Sequence, residues 1–357
     1  MPAQLTAEQT IRLTPDETKA LWEAATDLTR SEDVAALDAD GITELACGLT
    51  AAVPPRLLRA LHRHRSGAGL DALLVAGLLP ADQEWGPTPR GSAEPLTGPA
   101  QAAALCLLNA ALQLGEPFTF STFYSGRLVQ HVVPVPTMEH TQTSESSSGM
   151  LDWHVEDGFS PDRCDHFALL CVRGETAAHT RFTSARDLEL PDEVREVLRR
   201  PTFLMAPDTA HEMSDRRPVA TAVLWGPPEA PEICYDAHYL TPAEQQGGHE
   251  AEALRLLGRE LDVKRVEHAL APGELLLLDN RRTVHARTPF SARGDGTDRW
   301  LLRTMICSSL PRFRDHRTRI WSSPHGVPAS NGRYAASGAP AREASALEAS
   351  TREGGTR

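Results

Sequence analysis

His154 and Glu156 stand one residue apart in "LDWHVEDGF", residues 151–159, with Asp157 directly behind them. Imidazole and carboxylate together suit a borderline divalent metal. A two-histidine, one-carboxylate set that leaves coordination positions open is the preference of non-haem Fe(II). In a strand alternate side chains share a face, so His154 and Glu156 would project together while Trp153 and Val155 point away. The pair alone carries little weight. With 14 His and 48 Asp and Glu in 357 residues, about two His-x-Asp/Glu pairs are expected by chance. A solvent-facing strand with incidental polar residues is therefore the competing reading.

A third candidate ligand comes about 130 residues later. "PGELLLLDNRRTVHARTPF" reads as an apolar strand, a turn at Asp279-Asn280, and a second strand that would hold His285 rigidly toward the centre of a barrel. Arg299 follows in "DGTDRW", with Arg303 four residues beyond. Arginine clamps a carboxylate through two parallel hydrogen bonds, although an Arg beside an Asp is more often a surface ion pair of small consequence. His-x-Glu, then His, then Arg in this order is much harder to obtain by accident than any one of them.

The elements that must position these residues fall into two blocks. The first third reads as helical. Thr14-Pro15-Asp16-Glu17 has a Thr cap, Pro at the first helical position and Glu three residues after the cap, followed by "ETKALWEAATDLT". Further helices are expected over "GITELACGLTAAV", "PPRLLRALHRHR" and the Ala/Leu-rich "AQAAALCLLNAALQLG", with "DALLVAGLLP" as a buried strand. The basic run from Arg56 to Arg65 has helical spacing and reads as a solvated helix end. From Phe118 the texture changes to short β-favouring runs separated by Pro, Gly, Asn and Asp, interrupted by one helix in "TPAEQQGGHEAEALRLLGRELD". A helical block followed by many short strands predicts an α+β protein with a sandwich or barrel core. The Ala/Ser/Gly-rich segment 323–357 has little to bury and is expected to be a disordered tail, leaving 1–322 as a single catalytic domain.

"LLDNRRTVHARTPFSARGDGTDRWLLR", with "LVQHVVPVP", "LDWHVEDGFSPDRCDHFALLCVR" and the helical N-terminal block, resembles the clavaminate synthase-like branch of the Fe(II)/2-oxoglutarate dioxygenases. Within it the similarity is to enzymes that hydroxylate free L-amino acids such as asparagine and arginine. The resemblance spans roughly residues 10–315 and implies a double-stranded β-helix, or jelly-roll, core with helices packed outside. It implies that His154, Glu156 and His285 are the iron ligands and that Arg299 pairs with the distal carboxylate of 2-oxoglutarate. Thr180, in "AAHTRF", would assist Arg299, and Arg303 would help the same clamp. It further implies that O₂ is the co-substrate, with 2-oxoglutarate converted to succinate and CO₂ as an unactivated carbon of a small amino-acid-like molecule is oxidised. The carboxylate ligand favours hydroxylation or desaturation over halogenation.

The resemblance also points to substrate contacts. Ser144 and Glu145 in "QTSESSSGM" fall where the family has a substrate-touching loop, although a Ser-rich loop could equally be only flexible. Asp236 in "ICYDAHYL" matches an acidic position that holds a basic or amide side chain, against the simpler reading of a strand-end turn. Asp157 is expected to support the metal ligands from behind. The chain departs from arginine hydroxylases at "STFYSGRLV", where Phe123-Tyr124-Ser125 replace a Gln-containing stretch; this argues against free arginine and makes Tyr124 a candidate contact to a bulkier or less polar substrate end.

The formal charge of −12 and pI near 5.6 argue against a nucleic-acid or membrane-surface binder. No stretch approaches a spanning helix, "MPAQLTAEQT" lacks the build of a signal peptide, and six scattered cysteines read as reduced thiols, so a cytoplasmic location is expected. Cys164, His166 and Cys171 fit no zinc spacing and read as packing residues, and His62, His64 and His131 as surface or core histidines. Two alternatives remain: a desaturase or cyclase of the same family, and a metal-binding jelly-roll module without catalysis, for which Arg299 would have no use.

Overall fold

The computed structural model describes residues 2–67, 70–212, 216–244, 248–310 and 319–321; the expected tail lies outside the described residues. Two sheets dominate. The larger joins β1 (Thr10–Arg12), β2 (Ala72–Ala76), β3 (Glu116–Phe120), β4 (Gln130–Val132), β6 (His166–Arg173), β14 (Leu275–Asp279), β16 (Trp300–Cys307) and β17 (Ile320–Trp321). Its order is β1-β2-β14-β6-β16-β3-β17, with β4 also on β16. The smaller sheet runs β13 (Val266–Ala269), β7 (His179–Ser184), β15 (Thr283–Arg287) and β5 (Leu151–His154), all antiparallel. Outside it lie short ribbons made of β8 (Phe203–Met205), β9 (Val219–Thr221), β10 (Leu224–Trp225), β11 (Glu232–Ile233) and β12 (Leu240–Pro242).

Strand alternation explains how the sheets stack. In β14, Leu276 and Leu278 join Phe118, Phe167, Leu301 and Met305 in the layer between the sheets. Leu275 and Leu277 point the other way, against helices α1 (Pro15–Ser31), α2 (Ala39–Cys47), α3 (Pro55–Arg65) and α4 (Pro99–Leu112). The all-leucine run is thus buried on both faces. The smaller sheet repeats the device, turning Trp153, Val284 and Ala286 out toward α5 (Asp192–Leu198) and α6 (Gly248–Lys264). This is the expected jelly-roll core with flanking helices.

Local signals account for most helices. Thr14 and Glu17 form a complete capping box on α1, and Glu17 pairs with Arg56, tying α1 to α3. α4 is apolar all round, and eleven of its residues are buried. Several expectations need correction. "GITELACGLTAAV" is not one helix: α2 ends at Cys47 and a separate 3₁₀ turn covers Thr50–Ala52. The basic end of α3 is not uniformly solvated, because His64 is fully buried and bonds the Leu70 carbonyl at 2.8 Å. The strand at "LDWHVEDGF" stops at His154.

Candidate active site

Inward-facing residues of both sheets meet in one cavity. His154 and His285 sit opposite each other on β5 and β15, with ring centroids 4.1 Å apart. Glu156 lies just past the end of β5, in a turn that β-sheet alternation no longer controls, and a different device places it. Asn280, buried in the turn between β14 and β15, accepts from the Glu156 N–H through Oδ1 (2.9 Å) and donates from Nδ2 to the Glu156 carbonyl (3.0 Å). Trp153 and Val155 do face away, as expected. One ligand atom from each of His154, Glu156 and His285 lies within 4.8 Å of the others.

The donor chemistry fits a divalent metal. A backbone carbonyl can only accept, so His154 Nδ1 donates to Asp152 O (2.7 Å) and its Nε2 carries the free lone pair. Burial, reinforced by His154, depresses the His285 pKa to about 4 and keeps its imidazole neutral. Burial pushes the Glu156 carboxyl up, but Arg303, His285 and His154 outweigh it and hold the group well below the usual carboxylate range. The three side chains therefore present a neutral imidazole at His285, an imidazole at His154 held through Nδ1, and one anion.

Arg299 and Thr180 line the same cavity and are buried. Burial lowers the Arg299 pKa to about 10, leaving it cationic. Among the described residues no carboxylate pairs with Arg299, whose ring neighbour is Phe290 at 5.8 Å. A buried cation without an anion is costly, which fits a site awaiting an anionic ligand.

Arg303 is placed differently from expectation. It reaches Glu156 (3.2 Å to Oε1), donates from Nε to Gln130 Oε1 (3.0 Å), and lies over Phe123 and Tyr124. It faces the Glu156 carboxylate, and its Nη2 is buried without a partner. Asp157, directly after Glu156, lines the same cavity. It adopts φ 54° and pairs with His211 Nε2 at 2.8 Å; burial lowers the His211 pKa, but Asp157 and Asp208 raise it above its ordinary value.

Ser144, Tyr124 and Asp236 also line the cavity. The Tyr124 and Ser144 hydroxyls are 3.1 Å apart. Tyr124 and Ser125 have φ of 43° and 58°, a strained conformation in which non-glycine residues usually mark a functional constraint. Asp236 makes the strand-end turn, its Oδ1 accepting from the His238 and Tyr239 N–H groups at 2.8 Å, and it also lines the cavity. Glu145 is outside the lining and turns toward the Ser92 N–H at 3.4 Å. The Ser-rich segment is not merely flexible, since Thr143, Ser146 and Ser147 are buried.

Sequence reasoning missed Asn280, Asp208 and Arg287. Asn280 had been read only as a turn residue. Arg287 stands two positions after His285, so alternation could have found it. Asp208, in the loop "APDTAH", carries no sequence signal; burial pushes its carboxyl up to about 6, with Asp157 and Glu156 adding and His211 opposing.

Known proteins resemble both the sequence and this architecture. The family described as taurine catabolism dioxygenase TauD, TfdA family, matches residues 95–305. The enduracididine beta-hydroxylase of Streptomyces hygroscopicus is 34% identical over 337 residues, covering 86% of this chain and 97% of that protein. The structure of asparagine oxygenase with Fe(II), (2S,3S)-3-hydroxyasparagine and succinate superposes with a TM-score of 0.80 at 34% identity, covering 88% of this chain and 99% of that one. The non-heme iron oxygenase OrfP in complex with Fe and alpha-ketoglutaric acid gives a TM-score of 0.77 at 29% identity, covering 88% and 100%. Among the described residues no helix is long and apolar enough to cross a membrane.

Proposed function

The chain belongs to the TauD/TfdA dioxygenase family, and from that premise we propose that it hydroxylates an unactivated carbon of an L-amino acid carrying a cationic side chain. It is a 2-oxoglutarate-dependent dioxygenase of specialised metabolism, using Fe(II) and O₂; clavaminate synthase 2 is among its relatives, in line with the resemblance read from the sequence. The observation that carries the reading is the convergence of His154, Glu156 and His285 in one cavity with the unpaired cation of Arg299.

In this reading His154, Glu156 and His285 hold the iron, and Arg299 with Thr180 takes the distal carboxylate of 2-oxoglutarate. The iron supplies oxidative decarboxylation of 2-oxoglutarate by O₂ coupled to oxidation of a C–H bond. The protein supplies orientation and a largely water-excluded wall. Arg303 lines the cavity, and its unpartnered Nη2 suits the α-carboxylate of a substrate. Asp208 and Asp236, carboxylates that line the cavity, suit the positive end. Tyr124 narrows the space between them and fits a substrate shape other than free arginine. We place 1–322 as one catalytic domain, and the protein in the cytoplasm, a location supported by six cysteines of which none pairs with another.

Aerobic incubation with Fe(II), 2-oxoglutarate and a panel of L-amino acids tests the reading. A basic amino acid should give one succinate per product gaining one oxygen. A product lacking two hydrogens would reassign the enzyme as a desaturase or cyclase. Absence of 2-oxoglutarate turnover with every candidate, together with no visible band on anaerobic addition of Fe(II) and 2-oxoglutarate, would leave a non-catalytic module. His154→Ala or Glu156→Ala should abolish turnover with the fold retained; an active variant refutes the ligand set.

A further inference from the structure

The segment 143–149, which carries Ser144, is fastened to the metal-bearing strand by one side chain. Arg287, on the inward face of β15 with His285, donates from Nη1 to the carbonyls of Ser147 and Thr288, both at 3.0 Å. Its Nη2 donates to Ser146 Oγ (2.7 Å) and to the Gly149 carbonyl (3.2 Å), and its Nε is buried with no partner. The Phe290 N–H donates to the Ser147 carbonyl at 2.9 Å, adding a second tie.

Every acceptor of Arg287 is neutral, and among the described residues no carboxylate pairs with it. Arg299 is in the same condition. The two guanidinium groups share the Phe290 ring, at 4.9 and 5.8 Å from its centroid. Like charges buried around one ring repel with little water to screen them. An anion received at Arg299 offsets that repulsion.

We infer that Arg287 is a positioning residue that couples binding of 2-oxoglutarate at Arg299 to ordering of the substrate-facing segment 143–149. The inference rests on the proposed role of Arg299. Before the co-substrate arrives, two uncompensated cations weaken the grip of Arg287 on Ser146, Ser147 and Gly149. Its carboxylate removes the repulsion, the grip tightens, and Ser144 and its contact with Tyr124 are fixed for the amino acid. The coupling is reciprocal, so an ordered segment in turn favours 2-oxoglutarate at Arg299.

Hydrogen exchange on the full chain tests this, with Fe(II) under anaerobic conditions, with and without 2-oxoglutarate. The amides to follow are those of Ser146, Ser147, Gly149 and Phe290, which bond Thr143, Glu139, Glu139 and Ser147. Their exchange should slow by about fivefold or more when 2-oxoglutarate is added. In Arg287→Met the increment should vanish while calorimetry still detects 2-oxoglutarate binding, and KM for the amino acid should rise more than kcat falls. If that variant does not fold, Ser146→Ala, which removes one of the four hydrogen bonds, should show a reduced increment. A purely structural role would lower protection equally in both states. Equal protection of the native protein with and without 2-oxoglutarate, or an unchanged increment in the folded variant, overturns the inference alone; failure of 2-oxoglutarate to bind overturns the proposed function with it.

Discussion

The carboxylate of Glu156 is placed by a residue outside the proposed ligand set. Asn280 makes both backbone bonds to Glu156 and also donates to the Cys164 carbonyl at 3.1 Å, all with no exposure to solvent. Removing it leaves a buried N–H and two carbonyls short of partners, a cost of about 2–4 kcal/mol for polar groups with no water to replace the bonds. It also frees the turn that aims the carboxylate, and loss of such supporting contacts typically weakens metal binding about 10–100-fold. Asn280→Ala is therefore expected to lower the urea midpoint and the iron affinity together. Iron titration of the folded variant reads the second effect, and an unchanged affinity would show that Glu156 is aimed by Arg303 and not by the turn.

Each strand of the two sheets separates chemistry from packing by alternation, and β16 shows it most plainly. Arg299, Leu301 and Arg303 line the cavity, whereas Leu302 and Ile306 pack toward the helices. Two neighbouring leucines should then behave differently. Leu302→Ala should cost about 2–5 kcal/mol, the usual range for a buried leucine, with 2-oxoglutarate binding preserved. Leu301→Ala should cost a similar amount and also weaken 2-oxoglutarate, because it opens the wall between the two arginines. Equal effects on binding would mean that the strand transmits any loosening to the site. The same periodicity made His154 and the outward Trp153 legible in the sequence, while His285 and Arg299 stood out by their order and by the family resemblance. It failed where backbone geometry leaves the strand, at Glu156, and where strands carry too little apolar alternation. "HTRFTS" (β7) and "VEHA" (β13) are examples, since their residues are held by pairing with β15 and with each other. α5 was missed because seven residues flanked by Pro and Arg offer too short a pattern. Arg303 was misplaced because sequence spacing fixes which face a side chain takes but not which of two anions it meets there. Glu145 failed for a related reason, as no periodicity governs an irregular loop.

Across the whole molecule, the turn that aims Glu156 is also where the helical block meets the sheets. Asp279 pairs across strands with His166, and the His166 ring lies 5.1 Å from that of His64 at the end of α3. Burial, with mutual repulsion added at His64, holds both imidazoles at a pKa of about 4, against about 6.5 in an unfolded chain. Between these values the unfolded chain binds more protons, so each histidine removes stability as pH falls from 6.5 toward 4. Asp279 and Asp208 have the opposite sign. Their pKa is raised to about 6, so the folded chain binds more protons and gains stability over nearly the same interval. The native profile thus mixes both signs, and a single substitution separates them. In His64→Gln the protonatable group is gone while a polar atom remains to meet the Leu70 carbonyl. The stability difference between variant and native protein should move in the variant's favour by about 1–2 kcal/mol from pH 7 to pH 5. Denaturant midpoints at the two pH values measure it. A pH-independent difference would mean that His64 is protonated or hydrated in the folded state, and that the helical block closes less tightly over the Asp279-Asn280 turn than its burial implies.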